Sequence, residues 1–299
     1  MLIDSVMSAV ARASCHHCGA AALTDAVPGR RWWRAGQAHT LVRCRGCGGM
    51  FTDPLPAQAL LDRLYDDEFD FDWYRDHYPV KLLDALVRVR QYRRLGLVGG
   101  RVLDFGGGLG YFARALRLYG YDAETRDPVY DGAQLTKRRE RFDTIVGHHV
   151  LEHARAPGPL LDDLREQLAP DGTLVLAVPN AGSRGYAALG TRWVWCQPPY
   201  LHVHHFTATG LRALAGRHGL TVIGEHYFER WDASTLADVT LRALFARSDG
   251  GWQHSWWPWG RAQASSLLRV AALALNAVAA RPPAPRRAEL LVVLRRAAP

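Results

Sequence analysis

Beyond about residue 56, the chain alternates short apolar runs with segments in which apolar residues recur every three or four positions. The short runs predict buried strands, at 101–105, 122–127, 142–147, 173–178, 220–228 and 289–294. The helical spacing predicts α-helices, at 57–65, 79–96, 109–119, 158–168 and 207–219. Strands separated by helices predict an α/β fold in which a mostly parallel sheet is covered on both faces.

The composition is that of an ordinary folded protein, because 48% of the 299 residues are hydrophobic and 22% are charged. Its net charge is +8, and almost all of its basic residues are arginines. This excess of arginine over lysine is more typical of a GC-rich coding sequence than of selection for polyanion binding. No apolar run reaches the roughly 20 residues that span a bilayer, and the N-terminus lacks the charged and apolar regions of a signal peptide. We therefore expect a cytoplasmic protein without a transmembrane segment.

Four of the five cysteines form two Cys-x-x-Cys pairs, Cys15 with Cys18 and Cys44 with Cys47. Disulfides are rare in a reducing cytosol, and two such pairs close together predict a tetrahedral Zn²⁺ site. A hairpin of residues 31–34 and 40–43 accommodates the long spacer between the pairs. Because four thiolates fill the coordination of zinc, we expect a structural metal. A redox-active dithiol is the alternative.

The segment from Val102 to Phe112 runs from a predicted strand through a glycine-rich turn into a predicted helix. Glycines let the backbone approach a ligand closely and a helix N-terminus presents unpaired N–H groups, so this pattern predicts a nucleotide-like ligand. Residues 108–113 fit the dinucleotide pattern G-x-G-x-x-G/A. A second pattern, D-x-G-x-G-x-G at 104–110, instead places an acid at the strand end before three alternating glycines.

This second pattern resembles motif I of the class I S-adenosylmethionine-dependent methyltransferases. Three later segments resemble the same family, namely FDTIVGHHVLEH at 142–153, LAPDGTLVL at 168–176 and PYLHVHHFT at 199–207. The cysteine pairs that lead into Phe51-Thr52-Asp53-Pro54 resemble a zinc-ribbon module fused to such enzymes. The resemblance covers nearly the whole chain and favours a methyltransferase over a nicotinamide dinucleotide enzyme.

The resemblance implies a Rossmann-like, doubly wound, mostly parallel sheet with an antiparallel last strand, preceded by a small zinc ribbon. It implies S-adenosylmethionine as the cofactor, bound by Asp104, Gly106, Gly108 and Gly110, with Asp127 on the ribose hydroxyls. Only 14 residues separate Asp127 from Phe142. That length is shorter than the helix and edge strand which the family usually has there, so we assign no adenine contact.

These patterns predict that the chain has three parts. They are a zinc-ribbon module at 1–56, a helical connector at 57–97 and a methyltransferase domain at 98–299 with insertions at 181–206 and 229–288. The connector's second helix has an apolar stripe that should pack on the next domain. Its other face predicts a solvated surface of arginines, at Arg88, Arg90, Arg93 and Arg94.

Histidines cluster after two neighbouring predicted strands, and histidine is the natural general base near neutral pH. We predict His149, His205 and His153 as candidate catalytic residues that remove a proton from the methyl acceptor. Anchoring at a helix start is the structural alternative for His153. His149, Glu152 and His153 also resemble the Glu-x-x-Glu-His metal set of some O-methyltransferases, with histidine in place of the first glutamate.

The predicted function is methyl transfer from S-adenosylmethionine to an oxygen, nitrogen or carbon atom of a small molecule. One alternative is an RNA-modifying methyltransferase that uses the ribbon and the arginines to bind nucleic acid. Another is a non-catalytic protein that binds the cofactor. The sequence fixes neither the acceptor nor the oligomeric state.

Overall fold

A computed structural model describes residues 14–26, 31–34, 37–68, 78–127, 140–190, 193, 195, 201–228 and 284–298. Most of the predicted insertion at 229–288, the segment 128–139 and the fifth cysteine, Cys196, lie outside these ranges.

The N-terminal module is a small antiparallel sheet. Its strands are β1 (Leu23–Asp25), β2 (Trp32–Arg34), β3 (Gln37–Cys44) and β4 (Met50–Asp53). The long strand β3 pairs with each of the other three, and Trp32 lies opposite His39 in the β2–β3 hairpin. The hairpin predicted within the cysteine spacer is therefore confirmed.

The larger sheet has six strands in the described residues. They are β5 (Arg101–Phe105), β6 (Asp122–Arg126), β7 (Phe142–His148), β8 (Leu168–Pro179), β10 (Leu220–Phe228) and β11 (Glu289–Arg296). Their order is β6-β5-β7-β8-β11-β10. Strands β5 to β8 are parallel, whereas β11 runs antiparallel to both of its neighbours. This order confirms the predicted fold, including the antiparallel last strand.

The strand residues of this sheet alternate between two apolar cores, and helices complete these cores on its two faces. The helices are α1 (Gln58–Glu68), α2 (Tyr78–Arg94), α3 (Tyr111–Leu118), α4 (Pro157–Gln167), α5 (Arg184–Leu189) and α6 (Ala208–Arg217). One core includes Leu103, Ile145 and Leu174 with α4 and α6. The other includes Val102, Val146 and Val175 with α2 and α3. None of the helices in the described ranges is long and apolar enough to cross a membrane.

The residues Pro170-Asp171-Gly172 predict a turn into the strand that begins at Thr173, and they lie within the bounds of β8. Phe142 pairs with Leu168 and Thr144 pairs with Thr173, so the residues between form a bulge. A Cβ at Gly172 would lie 2.8 Å from the carbonyl oxygen of Phe142. Glycine is needed for this close approach of two backbones, and a Cβ at Gly172 would also lie 3.1 Å from the backbone N and O atoms of Ala169.

A two-residue strand, β9 (His204–His205), follows β8 in the sequence but belongs to the N-terminal sheet. It pairs antiparallel with β4, so that Phe51 lies opposite His204 and Met50 opposite His205. The N-terminal sheet is therefore extended by a strand from the predicted methyltransferase domain.

The predicted solvated arginine face of α2 needs one correction. Arg90, Arg93 and Arg94 are exposed, but Arg88 is buried with 7% exposure. Its guanidinium lies 3.5 Å from the carboxylate of Glu289, which is 2% exposed. A buried charge is stable only with a partner, and this partner is 201 residues away in the sequence.

Replacing Arg88 by methionine should lower the free energy of unfolding by about 3 kcal/mol, because it removes one of the two cationic side chains, Arg88 and His149, that face the buried carboxylate of Glu289. Chemical denaturation measures the change. The matched control is Arg90→Met on the same helix, which is exposed and should change the stability little. Equal effects of the two substitutions would contradict this interpretation.

Candidate functional site

The glycine loop joins β5 to α3 at the carboxyl end of the parallel strands. Gly106, Gly108 and Gly110 have φ angles of 69°, 54° and 72°, which other residues rarely adopt. Gly110 is also the N-cap of α3, and its N–H donates to the carbonyl oxygen of Gly107. The three alternating glycines are therefore required by the backbone of the turn.

Asp104 lies beneath this loop and is 1% exposed. Its Oδ2 accepts a hydrogen bond of 3.2 Å from the N–H of Ala113 in α3. Burial raises the pKa of Asp104 to about 7. A Cβ at Gly107 would lie 2.2 Å from the same Oδ2. Asp104 thus holds the loop against the first turn of the helix, a role that the sequence pattern did not indicate.

Asp127 follows β6 and is brought to the glycine loop, as the sequence predicted for a cofactor site. Its Oδ2 accepts a hydrogen bond of 2.8 Å from the N–H of Gly108, and the residue is 8% exposed. The space that a side chain at Gly108 would enter contains no atom within 4 Å. The loop therefore presents an open, glycine-lined surface beside a carboxylate.

The turn after β7 packs directly on the glycine loop. A Cβ at Gly106 would lie 2.4 Å from Cγ2 of Val150, so only glycine fits there. His149, which precedes Val150, has a φ of 53° and is the one non-glycine residue with positive φ in the described ranges. Strained backbone of this kind persists only where neighbouring contacts hold it.

Two buried carboxylates hold the ring of His149. Its Nδ1 lies 2.9 Å from Glu152 Oε1 and its Nε2 lies 3.0 Å from Glu289 Oε2. Burial disfavours the charged ring, but hydrogen bonds to Glu152 and Glu289 dominate and raise the pKa of His149 to about 10. A ring that keeps its proton cannot accept another, so this geometry suits a positioning role better than the predicted general base. Glu289 was not recognised in the sequence.

The other two predicted catalytic histidines have different hydrogen-bond partners and environments from His149. His153 donates from Nδ1 to the carbonyl oxygen of Leu201 at 2.9 Å, and burial lowers its pKa. His205 lies in β9, where burial and the charge of Arg43 lower its pKa to about 3. Both rings are neutral near pH 7. A catalytic role for the three histidines stays a prediction from the sequence.

The four cysteines of the two pairs come together in one cluster, with their sulfur atoms within 4.8 Å of one another. The Sγ–Sγ distances are 3.7 Å for Cys15–Cys47 and 3.6 Å for Cys18–Cys44, too long for disulfides. Each pair is followed by a glycine with positive φ, Gly19 or Gly48, whose N–H closes the turn onto the first cysteine's carbonyl.

The cysteine cluster is tied to the start of α6. Thr207, the N-cap of that helix, donates from its hydroxyl to the carbonyl oxygen of Cys47 at 2.6 Å and accepts from the N–H of Gly210. His17, inside the first cysteine pair, lies 3.2 Å from His204 of β9, and both rings are fully buried. The cluster therefore supports the segment that follows β8.

A protein-family model described as a methyltransferase domain matches residues 74–225, which is half of the 299-residue chain. The chain belongs to this methyltransferase domain family. Its fold and its glycine loop are consistent with that membership.

Two curated relatives are ubiquinone biosynthesis O-methyltransferases of Xylella fastidiosa, strains M23 and Temecula1. Each is 29% identical over 165 residues, which cover 46% of this chain and 66% of the relative's length.

Similar solved structures include magnesium protoporphyrin IX methyltransferase from Synechocystis PCC 6803 with bound SAH. It has 17% identity and a TM-score of 0.42, and the match covers 56% of this chain and 92% of that one. A SAM-dependent methyltransferase from Archaeoglobus fulgidus has 16% identity and a TM-score of 0.44, with coverages of 72% and 94%.

Gly107→Ala should destabilise the protein by about 1–3 kcal/mol, because the new methyl group would overlap the carboxylate of Asp104 and force the loop to move. Gly99→Ala is the matched control, since a Cβ there would meet no atom within 4 Å. Thermal or chemical unfolding distinguishes them. If both variants unfold at the same point, Asp104 does not hold the loop in the way described.

Proposed function

We propose that this chain transfers a methyl group from S-adenosylmethionine to a small-molecule acceptor. The observation that carries the proposal is the glycine loop between β5 and α3, with Asp127 hydrogen-bonded across it to Gly108. Family membership supports the same reaction. The name of the curated relatives, which make a small molecule, supports the acceptor class.

The residues present fit S-adenosylmethionine. The surface at Gly108 has room for a ligand next to backbone N–H groups of the loop. In this proposal the carboxylate of Asp127, which accepts from the N–H of Gly108, would also accept hydrogen bonds from the ribose hydroxyls. Asp104 acts from beneath by fixing the loop to Ala113. When bound, the cofactor supplies a methyl group on a sulfonium, which leaves as the acceptor's nucleophile attacks in line.

The chain's own contribution is mainly positioning. Methyl transfer from a sulfonium depends on in-line alignment of donor and acceptor, so a general base assists without being required. His149 fixes the turn after β7 through Glu152 and Glu289. Through Val150, that turn fixes the glycine loop.

We further propose that Cys15, Cys18, Cys44 and Cys47 bind a structural Zn²⁺. Zinc–thiolate bonds of about 2.3 Å in a tetrahedron place neighbouring sulfurs about 3.8 Å apart. The two sulfur distances of 3.7 and 3.6 Å are close to that value. Four thiolates leave no open position, so the ion would stabilise the module and the attached strand β9.

Asp127→Ala should weaken the binding of S-adenosylhomocysteine by about 10- to 100-fold, since hydrogen bonds to a carboxylate contribute about 1.5–3 kcal/mol. Isothermal titration calorimetry measures the affinity. Asp122→Ala, at the start of the preceding strand β6, is the control, because that side chain is 78% exposed. If the Asp127→Ala variant binds S-adenosylhomocysteine with unchanged affinity, Asp127 does not bind the ribose hydroxyls.

Cys44→Ser should reduce the bound zinc and lower the thermal midpoint, because zinc–thiolate bonds contribute folding free energy. Elemental analysis and thermal unfolding report the two effects. Cys196→Ser is the control, since this cysteine belongs to neither pair. A Cys44→Ser protein with unchanged zinc content would contradict the four-thiolate site.

Transfer of a labelled methyl group to pooled small-molecule extracts, compared with pooled RNA, tests the acceptor class. We expect label in the small-molecule fraction. Label in RNA, with binding that weakens steeply as salt rises, would favour the nucleic-acid alternative. Binding of the cofactor without transfer to either pool would favour the non-catalytic alternative.

A further inference from the structure

A second group of metal-ligand side chains lies beside the glycine loop and contains no cysteine. Glu152, His153 and His202 each offer one ligand atom, and these atoms lie within 4.8 Å of one another. Glu152 and His153 come from the turn after β7, whereas His202 precedes β9. We propose that these three residues bind a divalent transition-metal ion.

Glu152 provides the first argument. It is 1% exposed, and its Oε1 accepts a hydrogen bond from the ring of His149. Its second oxygen, Oε2, is buried and has no hydrogen-bond partner. A buried carboxylate oxygen without a partner is costly, and a cation bound there would satisfy it.

Hydrogen bonds hold the two histidines in the tautomer in which Nε2 is available to bind a metal. Nδ1 of His153 lies 2.9 Å from the carbonyl oxygen of Leu201, and Nδ1 of His202 lies 3.0 Å from that of Trp195. A carbonyl oxygen only accepts, so each Nδ1 carries the hydrogen. Each Nε2 therefore keeps its lone pair. Backbone carbonyls fix metal-binding histidines in this way in many proteins.

Aromatic stacking fixes the ring planes. Trp195 lies between His149 and His202, with ring centroids 5.4 Å and 5.6 Å away and interplanar angles of 17° and 6°. His153 meets His202 edge to face at 4.5 Å. These contacts limit the rotation of both histidines, as a preformed metal site requires.

The ligand set differs from the one that the sequence resemblance suggested. His149 is engaged by Glu152 and Glu289 through both ring nitrogens, so it orients Glu152 and does not bind the ion. His202, 49 residues after His153, completes the set instead. Two imidazoles and one carboxylate suit Zn²⁺, Co²⁺ or Fe²⁺ better than Mg²⁺ or Ca²⁺.

Three protein ligands leave a coordination position open, as in catalytic zinc sites. The site lies two residues from Val150, which packs on Gly106 of the glycine loop. If the chain has the proposed methyltransferase function, an oxygen of the acceptor would bind at this position. The ion would lower the pKa of a bound hydroxyl.

Elemental analysis of the full chain after dialysis against Zn²⁺ tests the proposal without any methyl donor. We expect two zinc ions per chain in the wild type and one in Glu152→Gln and in His202→Gln. His226→Ala, on β10 and outside the candidate ligand set, is the control and should keep two zinc ions. Thermal unfolding of each variant shows whether it folds. If one of the two variants does not fold, the zinc content of the other variant tests the proposal.

X-ray absorption at the zinc edge of the wild type gives a second readout that needs no variant. We expect nitrogen and oxygen neighbours in addition to sulfur. One zinc per chain with sulfur neighbours alone, or two zinc ions in both folded variants, would overturn the proposal. Because neither readout uses S-adenosylmethionine, failure of cofactor binding would count against the proposed function only.

Discussion

A row of four alternating charges, three of them buried and one, His149, partly exposed, fixes the carboxyl end of the large sheet. Arg88 of α2 pairs with Glu289 at the start of β11, Glu289 with His149 after β7, and His149 with Glu152. The formal charges cancel along the row, which is the condition under which charges are stable inside a protein. The row joins a helix that covers the sheet, the last strand and the turn beside the glycine loop.

The position of the loop follows from this row. His149 can adopt its left-handed backbone because two carboxylates hold its ring, and the turn that begins there presses Val150 against Gly106. From the other side, Asp104 and Asp127 hold the loop through Ala113 and Gly108. The glycines are thus constrained on both sides, and one surface stays open for a ligand.

The cysteine module is built into the same arrangement. Strand β4 pairs with β9, and Cys47 accepts the hydroxyl of the helix cap Thr207. His202 directly precedes this region. A structural metal in the module would therefore stabilise the segment that carries one of the proposed ligands of the second metal. This connection gives the module a physical role in the site, even though its four thiolates leave no open position.

The local patterns of the sequence predicted the main helices and strands and the cysteine pairs. The resemblance to class I methyltransferases implied the antiparallel last strand and the approach of Asp127 to the glycine loop. Contacts between distant segments were not predictable in this way. From the sequence alone, Arg88 is predicted to be a surface arginine, and Glu289 is a single acidic residue before an apolar strand. Only the fold shows that the two side chains form a buried ion pair. The proton held by His149 likewise depends on two carboxylates, one of them 140 residues away. The irregular pairing around Asp171-Gly172 likewise depends on the register of β8 against β7.

The most direct test of the account is a crystal structure of the full chain with S-adenosylhomocysteine. We predict that the ligand lies across Gly106, Gly108 and Gly110, with its ribose hydroxyls on Asp127 and its sulfur facing the turn that carries Glu152 and His153. A ligand bound elsewhere on the chain, or a nicotinamide dinucleotide bound on the same glycines in its place, would contradict it.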